Sequence, residues 1–132
     1  MQVGDKKEVF SVVTDENTAK TVKSGSLPVF ATPMMIALME EAAATLVEEN
    51  LEDNENKEKT SVGILMNISH IAATPIGMKV RAEAEITAID GRKITFKVTA
   101  FDEVEKIGEG AHERFIVKSD KFLTKAENKG KS

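Results

Sequence analysis

The hydrophobic period of this chain changes once, and that change constrains the fold more than any other feature. Between Phe30 and Asn50 the sequence FATPMMIALMEEAAATLVEEN is apolar at nearly every position a helix would present, the pattern of a helix covered on most sides. From Ser61 onward the period is two. Val62, Ile64, Met66, Ile68, His70 and Ala72 are expected on one face of a long strand, with Gly63, Leu65, Asn67, Ser69 and Ile71 on the other. Met78, Val80, Ala82, Ala84, Ile86 and Ala88 alternate with Lys79, Arg81, Glu83, Glu85 and Thr87 in the next strand. Ile94, Phe96, Val98 and Ala100 continue the pattern, and a last strand is expected from about Glu105 to Lys118. A sheet with one apolar face must bury it, and one long helix is the cover this sequence supplies.

The boundaries follow from local chemistry. Glu8 to Val13 reads as a first strand. Thr32-Pro33 is a helix start, with Thr able to cap free N–H groups and Pro losing nothing at the first helical position. The helix is expected to reach Glu49 or Asn50, before an acidic, Asn-rich solvated stretch up to Thr60. Thr74-Pro75-Ile76-Gly77 marks a turn, Asp90-Gly91 a hairpin and Asp102-Glu103 another turn. The order is strand, long helix, then four strands on short connections. That is α+β, an antiparallel sheet wrapped around one long central helix, the element order of a hot-dog fold. With 132 residues the chain is expected to form a single domain over 1–122, followed by a flexible Lys-rich tail over 123–132.

Composition removes several function classes. A formal net charge of −4 with no basic stripe, and no Trp or Tyr for base stacking, argue against nucleic acid as a partner. The absence of cysteine excludes disulfides, thiolate catalysis and Cys-ligated zinc, and it fits a cytoplasmic protein. No apolar run is long enough to span a bilayer, and MQVGDKKEVF has no apolar segment behind its charges, so neither membrane nor secretory leader is expected. Gly108-Glu109-Gly110 lies within a strand pattern with no helix after it, so it is not a dinucleotide fingerprint. The two histidines stand 42 positions apart without a carboxylate cluster, and no metal is expected.

Several polar residues remain to be explained. The helical neighbours of Glu40 are Ile36, Ala37, Ala43 and Ala44, none able to pair with a carboxylate. A buried carboxylate needs a partner or a raised pKa; the plainer alternatives are a solvent-facing helix edge or neutralisation by an Arg from the sheet. His70 continues an apolar strand face near its end, and His and Glu are residues whose protonation can be tuned to work near neutral pH. Thr32 reads first as a helix cap, at a helix end where a hydroxyl can also meet developing negative charge. His112 and Arg114 share a strand face and read as an exposed charge ladder, although Arg114 is equally able to pair a buried carboxylate or an anionic ligand.

Three stretches, VFATPMMIALMEEAA, GILMNISHIAATPIGMKVRAEAEI and IGEGAHERFIV, resemble the fluoroacetyl-CoA thioesterase group of hot-dog thioesterases, in order and from roughly Val29 to Lys118. The resemblance implies a homodimer or a dimer of dimers. It implies hydrolysis of a small acyl-CoA thioester to free acid and CoA, with CoA as part of the substrate and no metal or organic cofactor. The family's catalytic Thr, Glu and His fall on Thr32, Glu40 and His70. Gly63 falls where a backbone N–H lies near the thioester carbonyl, and Arg114 on the arginine of the HER motif. The fluoroacetate-specific member encloses its pocket with phenylalanines before the FAT motif, where this chain has only Phe30 as a candidate substrate-contacting aromatic; another small acyl-CoA is therefore expected. The rival readings are a non-catalytic acyl-CoA sensing protein and a hot-dog hydratase, whose closely spaced Asp and His are missing here. CoA is anionic, and Lys79, Arg81, Arg92, Lys93, Lys97 and Lys118 are the cations expected on solvent-facing strand positions.

Overall fold

The structure is a computed structural model describing residues 1–131. Strand β1 (Lys6–Val12) leads through a turn of 3-10 helix (Asp15–Asn17) into a four-residue helix α1 (Ala19–Val22), and then into the long helix α2 (Thr32–Asn50). Strands β2 (Lys59–His70), β3 (Lys79–Asp90), β4 (Lys93–Asp102) and β5 (Lys106–Lys118) follow, and helix α3 (Ser119–Glu127) closes the chain. The five strands form one sheet in the order β1-β3-β4-β5-β2, every neighbouring pair antiparallel. This is the expected α+β arrangement. The polar stretch after β1 is not wholly irregular, since Thr14 and Thr18 cap the two short helical turns within it. Within the segment expected as a flexible tail, residues 123–127 continue α3, a helix that buries none of its side chains, and residue 132 lies outside the described residues.

Packing explains why one helix suffices. Met35, Leu38, Met39, Ala42, Ala43, Leu46 and Val47 are the buried face of α2, spaced at three, four and seven residues as an amphipathic stripe requires. They lie against a sheet face of Val80, Ala82, Ala84, Ile86, Ile94, Phe96, Val98 and Ala100, all buried in the same cluster. The alanines of β3 and β4 let the helix approach closely, and the larger side chains contribute about 1.5–3 kcal/mol each through burial. The hairpin between β3 and β4 turns at Gly91, whose φ of 61° is the left-handed conformation that the Asp-Gly pair anticipates.

One expectation about faces fails in β2. The strand carries a bulge between Gly63 and Leu65 in its pairing with β5. An extra residue there reverses the side-chain alternation, so that Ser61 and Gly63 lie on the inner side before it, and Met66, Ile68 and His70 after it. Ile64 and Leu65, predicted on opposite faces, are both exposed, at 51% and 45%. β2 is also an edge of the sheet, so these apolar side chains stand beside unpaired backbone groups.

Candidate active site

Two polar clusters form where α2 crosses β2 and β5. In the first, Thr32 is the opening residue of α2 and His70 the last residue of β2. The Thr32 Oγ1 lies 2.7 Å from His70 Nδ1. Thr32 is not the cap that the sequence suggests: Ala31 occupies that position without any side-chain bond, because the chain enters the helix one residue earlier, with Pro33 at the second helical position. The hydroxyl is thereby released to hold the imidazole. The other ring nitrogen, His70 Nε2, is enclosed and has no protein partner among the described residues, and burial holds the imidazolium below its ordinary pKa of 6.5. The pair borders a cleft of about 310 Å³ that includes Ser24, Val29, Phe30 and Ala72. Phe30 is almost wholly buried, at 3% exposure, so it is core as much as cleft wall.

The second cluster surrounds Glu40. Its carboxylate is not the buried charge expected from its helical neighbours, since 44% of the side chain is exposed. It does have a partner, Arg114 Nη1, at 3.5 Å. Arg114 is held firmly: its Nε donates to Ser61 Oγ at 2.8 Å and its Nη2 to the Ser61 carbonyl at 2.9 Å. Burial lowers the guanidinium pKa and the Glu40 charge works against that, but the group remains a cation. His112 completes the set, with Nε2 3.3 Å from Arg114 Nη1 and Nδ1 2.8 Å from the Leu65 carbonyl. Gly63 is required for close approach. A Cβ there would stand 2.6 Å from Glu40 Oε2, 3.3 Å from His112 Cε1 and 3.4 Å from Arg114 Nη1. Glu40, Gly63, Ile64, Leu65, Met66 and His112 border a hollow of about 240 Å³.

Thr32 is thus paired with His70, and Glu40 with Arg114 and Gly63. Eight residues of helix separate Thr32 from Glu40, an axial rise of about 12 Å, so the two clusters of one chain are distinct. His112 and Arg114 are not the exposed charge ladder of the plain sequence reading: they are 1% and 7% exposed, facing inward on β5 in phase with Ile116. Ser61 and the structural role of His112 were not anticipated. The phase of β5, which puts 112, 114 and 116 on one side of the strand, gives the face of His112 but not its depth, and nothing in the local sequence marks Ser61. Of the expected CoA-binding cations, Arg81 is engaged by Glu8 at 3.0 Å and lies over the Phe101 ring. Lys93 stands 3.9 Å from Glu113. Arg92 and Lys118 border a cleft together with Lys121 and Lys125.

Comparison with known proteins agrees with this architecture. Residues 13–120 match the family described as fluoroacetyl-CoA-specific thioesterase. A curated fluoroacetyl-CoA thioesterase from Streptantibioticus cattleyicolor is 39% identical over 101 residues, covering 76% of this chain and 70% of that protein. A solved structure of a fluoroacetyl-CoA thioesterase superposes with a TM-score of 0.89 at 32% identity, over 98% of this chain and 97% of that one. A phenylalanine-to-alanine mutant of a fluoroacetyl-CoA-specific thioesterase, solved in complex with fluoroacetate and CoA, gives a TM-score of 0.84 at 33% identity, over 92% and 99%. Fold, motif order and similarity across most of the chain coincide: the chain belongs to the fluoroacetyl-CoA-specific thioesterase family.

Proposed function

We propose that this protein is an acyl-CoA thioesterase that hydrolyses a small acyl-CoA to free acid and CoA, with Thr32, Glu40 and His70 as its reacting set. The observation that carries the site assignment is the 2.7 Å contact between Thr32 and His70, on the wall of a cleft of about 310 Å³. Thioester hydrolysis needs a nucleophile, stabilisation of the tetrahedral oxyanion and a proton for the departing thiolate. Glu40 attacks the carbonyl or directs a water at it. His70, oriented by Thr32, protonates the sulfur or deprotonates water, and the Gly63 N–H beside the bulge helps to hold the oxyanion. In this chemistry Thr32 orients His70 rather than Glu40, whose place is held by Arg114. No metal or organic cofactor enters any step, and a cytoplasmic location is part of this reading, supported by the absence of cysteine.

The two clusters meet only if a second copy is present. β2 is an edge strand with exposed Ile64 and Leu65, and Ile71 just beyond it is 54% exposed. A two-fold dimer that pairs β2 with its copy runs the two strands antiparallel. The His70 end of one strand then lies beside the Ser61–Gly63 end of the other, next to Glu40 of the partner subunit. A homodimer is therefore part of the reading, and a non-catalytic acyl-CoA sensor is its rival.

The test is free-thiol release from acetyl-, fluoroacetyl-, propionyl-, butyryl- and longer acyl-CoAs by wild type, Glu40→Ala and His70→Ala. Turnover lost in both variants supports the enzyme; binding of CoA esters without turnover in the wild type supports the sensor. Mixing the two inactive variants then decides how the site is assembled. Shared sites predict recovery of about a quarter of wild-type activity, from half of the dimers with one intact site each. Sites built within one chain predict none.

A further inference from the structure

His112 is absent from the reacting set proposed above, yet it is among the most buried polar side chains of the molecule, at 1% exposure. Its partners dictate its protonation. The Leu65 carbonyl, 2.8 Å from Nδ1, can only accept, so Nδ1 carries a proton. Arg114 Nη1, 3.3 Å from Nε2, can only donate, so Nε2 must present a lone pair. The ring is therefore neutral, with its proton on Nδ1. The Phe96 ring stacks on it at a centroid separation of 5.7 Å and an interplanar angle of 27°, which fixes its plane.

The consequence runs through the guanidinium. Ser61 takes the Nε and Nη2 hydrogens, and Nη1 has two hydrogens to place. One goes to His112 and the other points to Glu40. Without an acceptor at Nε2, a buried N–H would be left unmade, and the Nη1 end of the fork would be free to tilt. We propose that His112 is a positioning residue, which fixes the Arg114 guanidinium by accepting from Nη1 and so sets the place of the Glu40 carboxylate. The same imidazole anchors Leu65, where the β2–β5 register shifts, so it ties the bulge, the arginine and the carboxylate together. The charged groups around it are Arg114 and Glu40 on its own side of the sheet and Glu113, its neighbour in β5. Burial first, with the Arg114 charge adding to it, favours the neutral ring against the opposing effects of the Leu65 carbonyl and the two carboxylates. This proposal rests on the reacting role of Glu40.

The experiment has two arms. The chain holds two histidines, so nitrogen-15 spectra of the wild-type protein resolve both rings, and His112→Gln assigns them. The expected pattern for His112 at neutral pH is a protonated Nδ1 and an unprotonated Nε2; a protonated Nε2 would overturn the proposal without any variant having to be active. The second arm is kinetic. Asn at 112 reaches the Leu65 carbonyl but has no atom at the Nε2 position, whereas Gln carries its carbonyl oxygen there. His112→Asn is expected to lower kcat by about 100-fold with KM little changed, and His112→Gln to recover most of that loss. Equal damage by Gln and Asn, or wild-type kcat in a folded Asn variant, refutes positioning through Nε2. Full turnover by Glu40→Gln removes the role of Glu40 and the catalytic part of this proposal with it. That failure is recognisable because the His112 nitrogen pattern would be unchanged.

Discussion

Replacing Gly63 by alanine tests whether the placement of Glu40 matters more to activity than to stability. The added methyl would lie 2.6 Å from Glu40 Oε2, about 0.8 Å inside ordinary van der Waals contact. It cannot relax the other way, because His112 Cε1 at 3.3 Å and Arg114 Nη1 at 3.4 Å close that side, and both groups are tethered by hydrogen bonds. Glu40 is the member free to move, since 44% of its side chain is exposed and its charge partner, Arg114, is 3.5 Å away. Swinging it out sacrifices a partly exposed ion pair, worth at most about 1 kcal/mol after solvent screening. The gain from restricting the unfolded chain, about 0.4–1 kcal/mol for Gly→Ala, offsets much of that. The midpoint of thermal or urea unfolding should therefore hardly change. A displacement approaching 1 Å at a reacting carboxylate should nevertheless lower kcat/KM by about 100-fold. The assays are thiol release and circular dichroism on the same preparation. Wild-type kcat/KM in Gly63→Ala would refute the reasoning, and so would a large loss of stability, which would mean that the backbone rather than Glu40 gives way.

Three further outcomes are expected. Thr32→Val removes the bond to His70 but no helix cap, so unfolding should stay within about 0.5 kcal/mol of wild type while kcat/KM falls at least about 10-fold; a stability loss near the roughly 1 kcal/mol of a missing cap would contradict the helix start described here. Both histidines have folded pKa values below 6.5, so the unfolded chain binds more protons as the pH drops past that value. Stability should be level above pH 6.5 and decline below it, toward the folded values, by up to about 1.4 kcal/mol per pH unit for each histidine. Urea midpoints across that range check the sign, and a double histidine-to-glutamine variant should flatten the slope. Ending the chain at Lys118 should move the thermal midpoint by only a few degrees, because α3 buries no side chain; a collapse of the fold on truncation would show that α3 is part of the core.

The fold was legible because it rests on period. The switch from a helical to a two-residue repeat located α2 and β2 to β5 within about two residues, and the Asp90-Gly91 pair marked its hairpin. What escaped the sequence depends on single-residue offsets. The bulge at Gly63–Leu65 reverses a face without leaving a compositional mark, so Ile64 was predicted beside Met66. Thr32 stands one position inside the helix instead of at its cap, and that one-residue shift turns a backbone-capping hydroxyl into a partner for His70. His112 and Arg114 were misplaced at the surface because alternation gives a polar residue's face but not its depth, and a buried polar network has the same period as a solvated one. Thr32 and Glu40 were grouped by family resemblance. Within one chain they stand about 12 Å apart along the helix, a separation the spacing already contains but the resemblance does not use.

The rigidity of α2 has an evolutionary consequence. Thr32 and Glu40 ride on one unbroken helix, so the distance and angle between them are counted in residues. A single insertion or deletion between them would turn Glu40 by about 100° and move it about 1.5 Å along the axis, away from Arg114. The turns between α2 and β2, at 51–58, carry no reacting group and stand largely exposed. Length variation among related chains should therefore collect in 51–58 and be absent between Thr32 and Glu40, leaving an eight-residue interval that drift in sequence can recolour but not resize.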